Sequence, residues 1–117
     1  MIAHVTDSQV VGETQATLFT IIQAAPVDAA VIMTNSGVNT INYDWQEWVN
    51  GVWTDLGASG SDYNNTLQAG ETVLINVMSS NPKVQLLGNA SGGAFLEFAI
   101  TRYFQRESGG PIPLLCL

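Results

Sequence analysis

Apolar residues recur at every second position over most of residues 14–105, the spacing that turns one face of an extended strand toward a core and the other toward water. Helical spacing is sustained nowhere. In residues 14–23, Ala16, Leu18 and Ile22 share one face and Phe19 and Ile21 the other. Ala25-Pro26 breaks this run. Residues 29–34 resume as a short strand, ended by Asn35-Ser36-Gly37, whose residue types tolerate the positive φ of a tight turn.

The clearest local signal is a hairpin over residues 40–56. Asn50-Gly51 is the preferred pair for a two-residue type I′ turn, and it sets a register in which Val49 opposes Val52, Trp48 opposes Trp53 and Trp45 opposes Leu56 on the other face. Residues 57–65 are Gly, Ser, Asp and Asn-rich and read as a surface loop. Residues 71–78 alternate cleanly, with Val73, Ile75 and Val77 on one side. Asn81-Pro82 predicts a turn, residues 84–87 a short strand and residues 88–93 another turn. Residues 94–105 form the longest strand, with Leu96, Phe98, Ile100 and Phe104 on one face.

This pattern gives seven or eight short strands separated by Gly, Asn and Pro, which predicts an all-β, antiparallel β-sandwich, jelly-roll-like or Ig-like. Residues 1–108 are expected to form a single domain. Residues 109–117 make an apolar C-terminal tail after the break at Ser108-Gly109-Gly110-Pro111. Such a tail is expected to dock on its own domain or a neighbouring subunit, by adding a strand to an open edge. Pro111 and Pro113 limit how regular that strand can be.

Composition sharpens the picture. With 46% apolar residues in 117, the chain holds enough core for one domain without a stapling disulfide or metal. Ten Asp and Glu stand against Lys83, Arg102 and Arg106, a formal charge of -7. Nucleic acid and anionic membrane are therefore poor partners, since both are bound through Lys and Arg. Charged residues are only 11%, so the surface must be covered by Asn, Ser, Thr, Gln and Gly, a composition suited to packing against other proteins. No run approaches the ~20 apolar residues of a membrane helix. The N-terminal Met1-Ile2-Ala3-His4-Val5-Thr6-Asp7 has no basic region and no continuous apolar run and is no secretory signal, which predicts synthesis without export through a cleaved leader.

Catalytic groups are scarce. His4 is the single histidine and lies in a terminal segment where fraying is usual, so a Ser or Cys nucleophile lacks a base. Cys116 is the single cysteine; it excludes an internal disulfide and, with His4 at the other end, a zinc site. Carboxylate pairs such as Asp44 with Glu47, or Asp55 with Asp62, are outweighed by the expectation that Asp44 is a solvated side chain and Asp62 a loop residue. Asp55, Asp62, Asn64 and Asn65 offer hard oxygen ligands, but at no spacing of a defined calcium loop. The chain is thus expected not to be an enzyme and to hold no cofactor or metal. Asn64-Asn65-Thr66 and Asn89-Ala90-Ser91 match glycosylation acceptors, which carry little weight without an export signal.

Aromatic residues point toward binding. If Tyr43 and Trp45 face inward, Trp48 and Trp53 face outward, as an interface patch or the rim of a sugar site. The expected interface residues are Trp48 and Trp53 on the hairpin and Ile112, Leu114, Leu115 and Leu117 in the tail.

Three phrases carry a resemblance. They are Val31-Ile32-Met33-Thr34-Asn35-Ser36-Gly37, Leu67-Gln68-Ala69-Gly70-Glu71-Thr72-Val73, and Gly88-Asn89-Ala90-Ser91-Gly92-Gly93-Ala94. Residues 29–106 resemble small virion structural proteins of tailed bacteriophages, most of all head decoration or cement proteins. The resemblance implies a homo-oligomer, a trimer first, that sits on the capsid surface, contacts the major capsid protein or another virion protein and clamps the shell against internal DNA pressure. It carries over no functional residue. Rival expectations are a carbohydrate-binding module of a tail fibre or adhesin, and a neck or tail component.

Overall fold

The computed structural model describes residues 3–23, 26–105 and 111–113, with side chains described for residues 6–23 and 26–101. Among them there are ten strands and no helix: β1 (Ala3–Val11), β2 (Ala16–Ile22), β3 (Val27–Asn35), β4 (Ile41–Val49), β5 (Val52–Asp55), β6 (Asn64–Leu67), β7 (Thr72–Ser79), β8 (Lys83–Asn89), β9 (Ala94–Gln105) and β10 (Pro111–Pro113). This exceeds the seven or eight expected.

The strands form two antiparallel sheets. One runs β1-β9-β3-β7, with β10 also on β9; the other runs β2-β8-β4-β5, with β6 also on β4. The pairs β1·β9, β2·β8, β3·β7 and β4·β6 nest inside one another. The chain is thus one long hairpin, with its tip at β5, wrapped around a core. That order is a jelly roll, and it decides between the two sandwich types left open by the sequence.

Strand alternation works as expected where the core is deepest. In β3, Val27, Ala29, Val31 and Met33 are buried while the residues between them are not. Trp45 on β4 is fully buried and meets the ring of Phe19 edge-on at 5.5 Å. Phe19 in turn stacks on Phe98 of the opposite sheet at 4.2 Å. Such ring pairs contribute ~0.5–1.5 kcal/mol beyond area burial. This aromatic column joins the two layers.

Four departures from the expected elements have physical causes. β1 is a nine-residue strand paired along its whole length with β9, although its segment was expected to fray. β6 turns Asn64 and Asn65, expected in a loop, into a strand against β4. β8 runs on through Gly88 and Asn89, expected in a turn. In β2 a bulge between Thr17 and Phe19 leaves Leu18 as an extra residue, so Leu18 and Ile21 both point inward and Ile22 is 64% exposed. Leu18 lies where a side chain on Gly88 would be, its Cδ1 2.6 Å from that Cβ position. Asn35 also differs: its φ is not positive, and it acts as a buried hydrogen-bond hub. Its amide donates to the carbonyls of Asn39 (2.8 Å) and Leu67 (2.9 Å) and its Oδ1 accepts from Gly37 N–H (3.0 Å).

Candidate functional site

The hairpin has the register its turn demands. Trp48 faces Trp53 and Val49 faces Val52, with Asn50 and Gly51 both at positive φ. The Leu56 N–H donates to the Trp45 carbonyl at 2.9 Å, which extends the same register. Because Tyr43 and Trp45 are buried, Trp48 and Trp53 lie on the outer face of the second sheet, half-buried and edge-to-face at 5.0 Å. The Lys83 ammonium, brought alongside by β8, lies 4.6 Å from the Trp48 ring centre and 5.6 Å from that of Trp53.

Beside the tryptophans a polar ladder crosses four strands. Thr17 Oγ1 donates to Gln85 Oε1 (3.1 Å), Gln85 Nε2 to Gln46 Oε1 (2.8 Å) and Gln46 Nε2 to Asp55 Oδ1 (3.3 Å). Gln85 with Gln46, and Gln46 with Asp55, are direct cross-strand partners, while Thr17, opposite Leu87, reaches Gln85 on the diagonal.

At Trp45 the edge partner of β4 changes from β5 to β6. This switch places Asp44, paired with Asn64 of β6, next to Asp55 of β5. Burial pushes the Asp44 carboxyl up from 3.8 to about 7, with the Asp55 hydrogen bond and negative charge adding to the rise. Asp44 Oδ1 is buried and has no hydrogen-bond partner among the described residues. The sequence paired these acids differently. Glu47 lies at the end of the sandwich, where its Oε1 accepts from Ser79 Oγ (2.7 Å) and Asn81 Nδ2 (3.0 Å), and Asp62 is a loop residue whose carbonyl accepts from the Tyr43 hydroxyl at 3.2 Å.

Asp44 also lines a groove of about 380 Å3 on this face, together with Asn42, Asn64, Thr66, Asn89 and Ser59. Of the oxygen ligands weighed for calcium, Asn65 is tied down by hydrogen bonds from its Nδ2 to the carbonyls of Gly60 (3.2 Å) and Ser61 (3.3 Å). Among the described residues no three Asp, Glu, His or Cys side chains converge as metal ligands.

The outer face of the first sheet is different in kind. Ala99, Ile32 and Leu74 stand in one cross-strand row over β9, β3 and β7. Leu74 and Met78 are each 60% exposed and Ile32 46%. Val10 and Phe95, also exposed, pair with each other toward one end of the sheet. Sequence reading missed this patch, although the even positions Ile32, Leu74 and Met78 signal it: they interrupt the polar side of strands whose odd positions already fill the core.

Of the tail, residues 111–113 add to β9, with Ile112 opposite Phe104. Leu114, Leu115 and Leu117 lie outside the described residues, as does Cys116.

No protein-family model matches the chain, and no curated protein is similar to it in sequence. Solved structures are similar in fold. One, titled "Bacillus endospore appendages form a novel family of disulfide-linked pili", has a TM-score of 0.60 at 16% identity, over 87% of this chain and 84% of that one. The crystal structure of PirA has a TM-score of 0.55 at 15% identity, over 85% of this chain and 93% of that chain. A mitogen derived from Yersinia pseudotuberculosis has a TM-score of 0.50 at 12% identity, over 100% of this chain and 98% of that chain. What the chain has in common with these proteins is the β-sandwich fold.

Proposed function

We propose that the chain is a non-catalytic structural subunit that assembles with copies of itself into an extracellular array of the appendage type. The observation that carries this reading is the outer face of the first sheet, where the uncharged row Ala99, Ile32 and Leu74 runs across three strands, with Met78 exposed nearby. An exposed apolar row of this kind is what subunit contacts bury. A chain with a charge of -7 repels its own copies, so a contact surface must be found where charge is absent, and this row is such a place. The fold shared with the endospore appendage protein supports the same reading.

The two need not be held together alike. One cysteine per chain can join two copies but cannot link them into a series, so within this sequence an array must rest on non-covalent packing. Trp48, Trp53 and the tail residues Ile112, Leu114, Leu115 and Leu117 are the further contacts of this reading.

A finer form is a head-decoration subunit, bound as a trimer to the major capsid protein of a tailed phage. It draws on the sequence phrases at 31–37, 67–73 and 88–94. A sugar site on the tryptophan pair has less support, because Lys83 already lies against both rings.

The test is light scattering with negative-stain microscopy on the full chain and on the Ile32→Asp, Leu74→Asp double variant. The expected result is oligomers or fibres from the wild type and folded monomers from the variant. A wild type that stays monomeric at its highest soluble concentration would overturn self-assembly, and saturable binding of that monomer to phage capsids would move the role to the virion.

A further inference from the structure

We propose that the groove over β4, β6 and β8 binds a neutral, hydroxyl-rich ligand, a saccharide unit. Two adjacent cross-strand rows build its floor: Thr66, Asn42 and Asn89 in one, Asn64 and Asp44 in the next. Ser59, from the loop after β5, forms part of its wall. At about 380 Å3 the groove falls in the ~300–1,000 Å3 range of small-molecule sites.

Its chemistry selects the ligand by exclusion and by match. Small-molecule pockets are usually lined by apolar side chains, and this one is lined by amides, hydroxyls and one carboxyl, so it offers little to an apolar ligand. No Lys, Arg or His lines it, so phosphate, sulfate and acidic sugars would enter without a counter-charge. A carboxamide both donates and accepts, as does a hydroxyl, so a row of asparagines matches a row of sugar hydroxyls.

The second observation is that these groups are unused. The amides of Gln46 and Gln85, on the same face, are consumed by the polar ladder. By contrast, the side chains of Asn42, Asn64 and Asn89 make no hydrogen bond among the described residues, and the buried Asp44 Oδ1 has no partner either. Amides left free of internal bonds, as on the exposed Asn42 and the half-buried Asn64 and Asn89, exchange water for ligand hydroxyls without breaking anything in the fold.

The site is separate from the tryptophan pair and from the apolar face of the other sheet, and it does not depend on assembly. The experiment begins with a glycan array probed with the labelled full chain, to select a neutral saccharide. That saccharide is then titrated into 15N-labelled protein while the side-chain amide resonances of Asn42, Asn64 and Asn89 are followed. N-acetylneuraminic acid and calcium chloride are run as separate arms.

The neutral saccharide should shift these resonances with a Kd on the order of 1 mM, weakened about five- to tenfold in Asn42→Ala and in Asn89→Ala and unchanged in Trp48→Ala. Backbone spectra of the variants should remain those of the folded domain. The proposal is overturned if no neutral glycan binds, if binding survives both asparagine variants, if Trp48→Ala abolishes it, or if only the acidic sugar or calcium chloride moves the groove amides.

Discussion

The hydroxyl of Tyr63 donates to the Asn76 carbonyl at 2.7 Å across the outer edge of β7, and it accepts from the Met78 N–H at 3.3 Å. β7 is the last strand of its sheet, and these two groups are ones a further strand would use. One side chain from the loop before β6 therefore closes part of an edge that would otherwise template pairing.

Tyr63→Phe removes both bonds and keeps the ring. The expected outcome is a loss of about 1 kcal/mol in stability by denaturant titration, with increased association at the exposed edge in light scattering. A variant that matches the wild type in both would show that the hydroxyl does not guard β7.

Lys83 holds its ammonium over the tryptophan pair in a partly solvated setting. Lys83→Ala should lower stability by ~0.5–1 kcal/mol and shift tryptophan emission to longer wavelength as water reaches the rings. Lys83→Met, which keeps the aliphatic stem, should restore the emission more fully than the stability. Unchanged emission in Lys83→Ala would mean that the rings are not covered from that side.

Asp44 gives the fold a pH dependence with a definite sign. Its carboxyl is raised to about 7 in the folded chain, so between the unfolded value near 3.8 and about 7 the folded state holds a proton that the unfolded state has released. Stability from this group is then greatest at low pH and falls as pH rises toward 7. Solvent screening at this half-exposed group keeps the effect to on the order of 1 kcal/mol.

Asp44→Asn mimics the protonated form. Its melting temperature relative to wild type should therefore rise between pH 4 and pH 8, by roughly 3–6 °C for a domain of this size. A difference that is flat across that range would remove the Asp44–Asp55 proton from the account.

The sequence alone was enough for the class of fold and for its most local piece. Val31 and Met33, Ile75 and Val77, and Leu96, Phe98 and Ile100 alternate because each strand must put one face on the core, and all of them are buried. Asn50-Gly51 fixed the hairpin register because both residues accept positive φ, so Trp48 and Trp53 meet through a contact only five positions apart.

The tertiary structure decided the rest, because backbone hydrogen bonds can be supplied by any neighbour and leave no mark in the sequence that receives them. β1 and β6 are too polar to announce themselves; they are strands because β9 and β4 offer open edges, and β1 pairs Ala3 with Arg102. The bulge at Leu18 reverses the faces of β2 after that point. Asp44 and Asp55 meet because β4 changes partner at Trp45, and the groove exists because rows from three strands fall side by side. Alternation says which way a side chain points; only the pairing of distant strands says what it points beside.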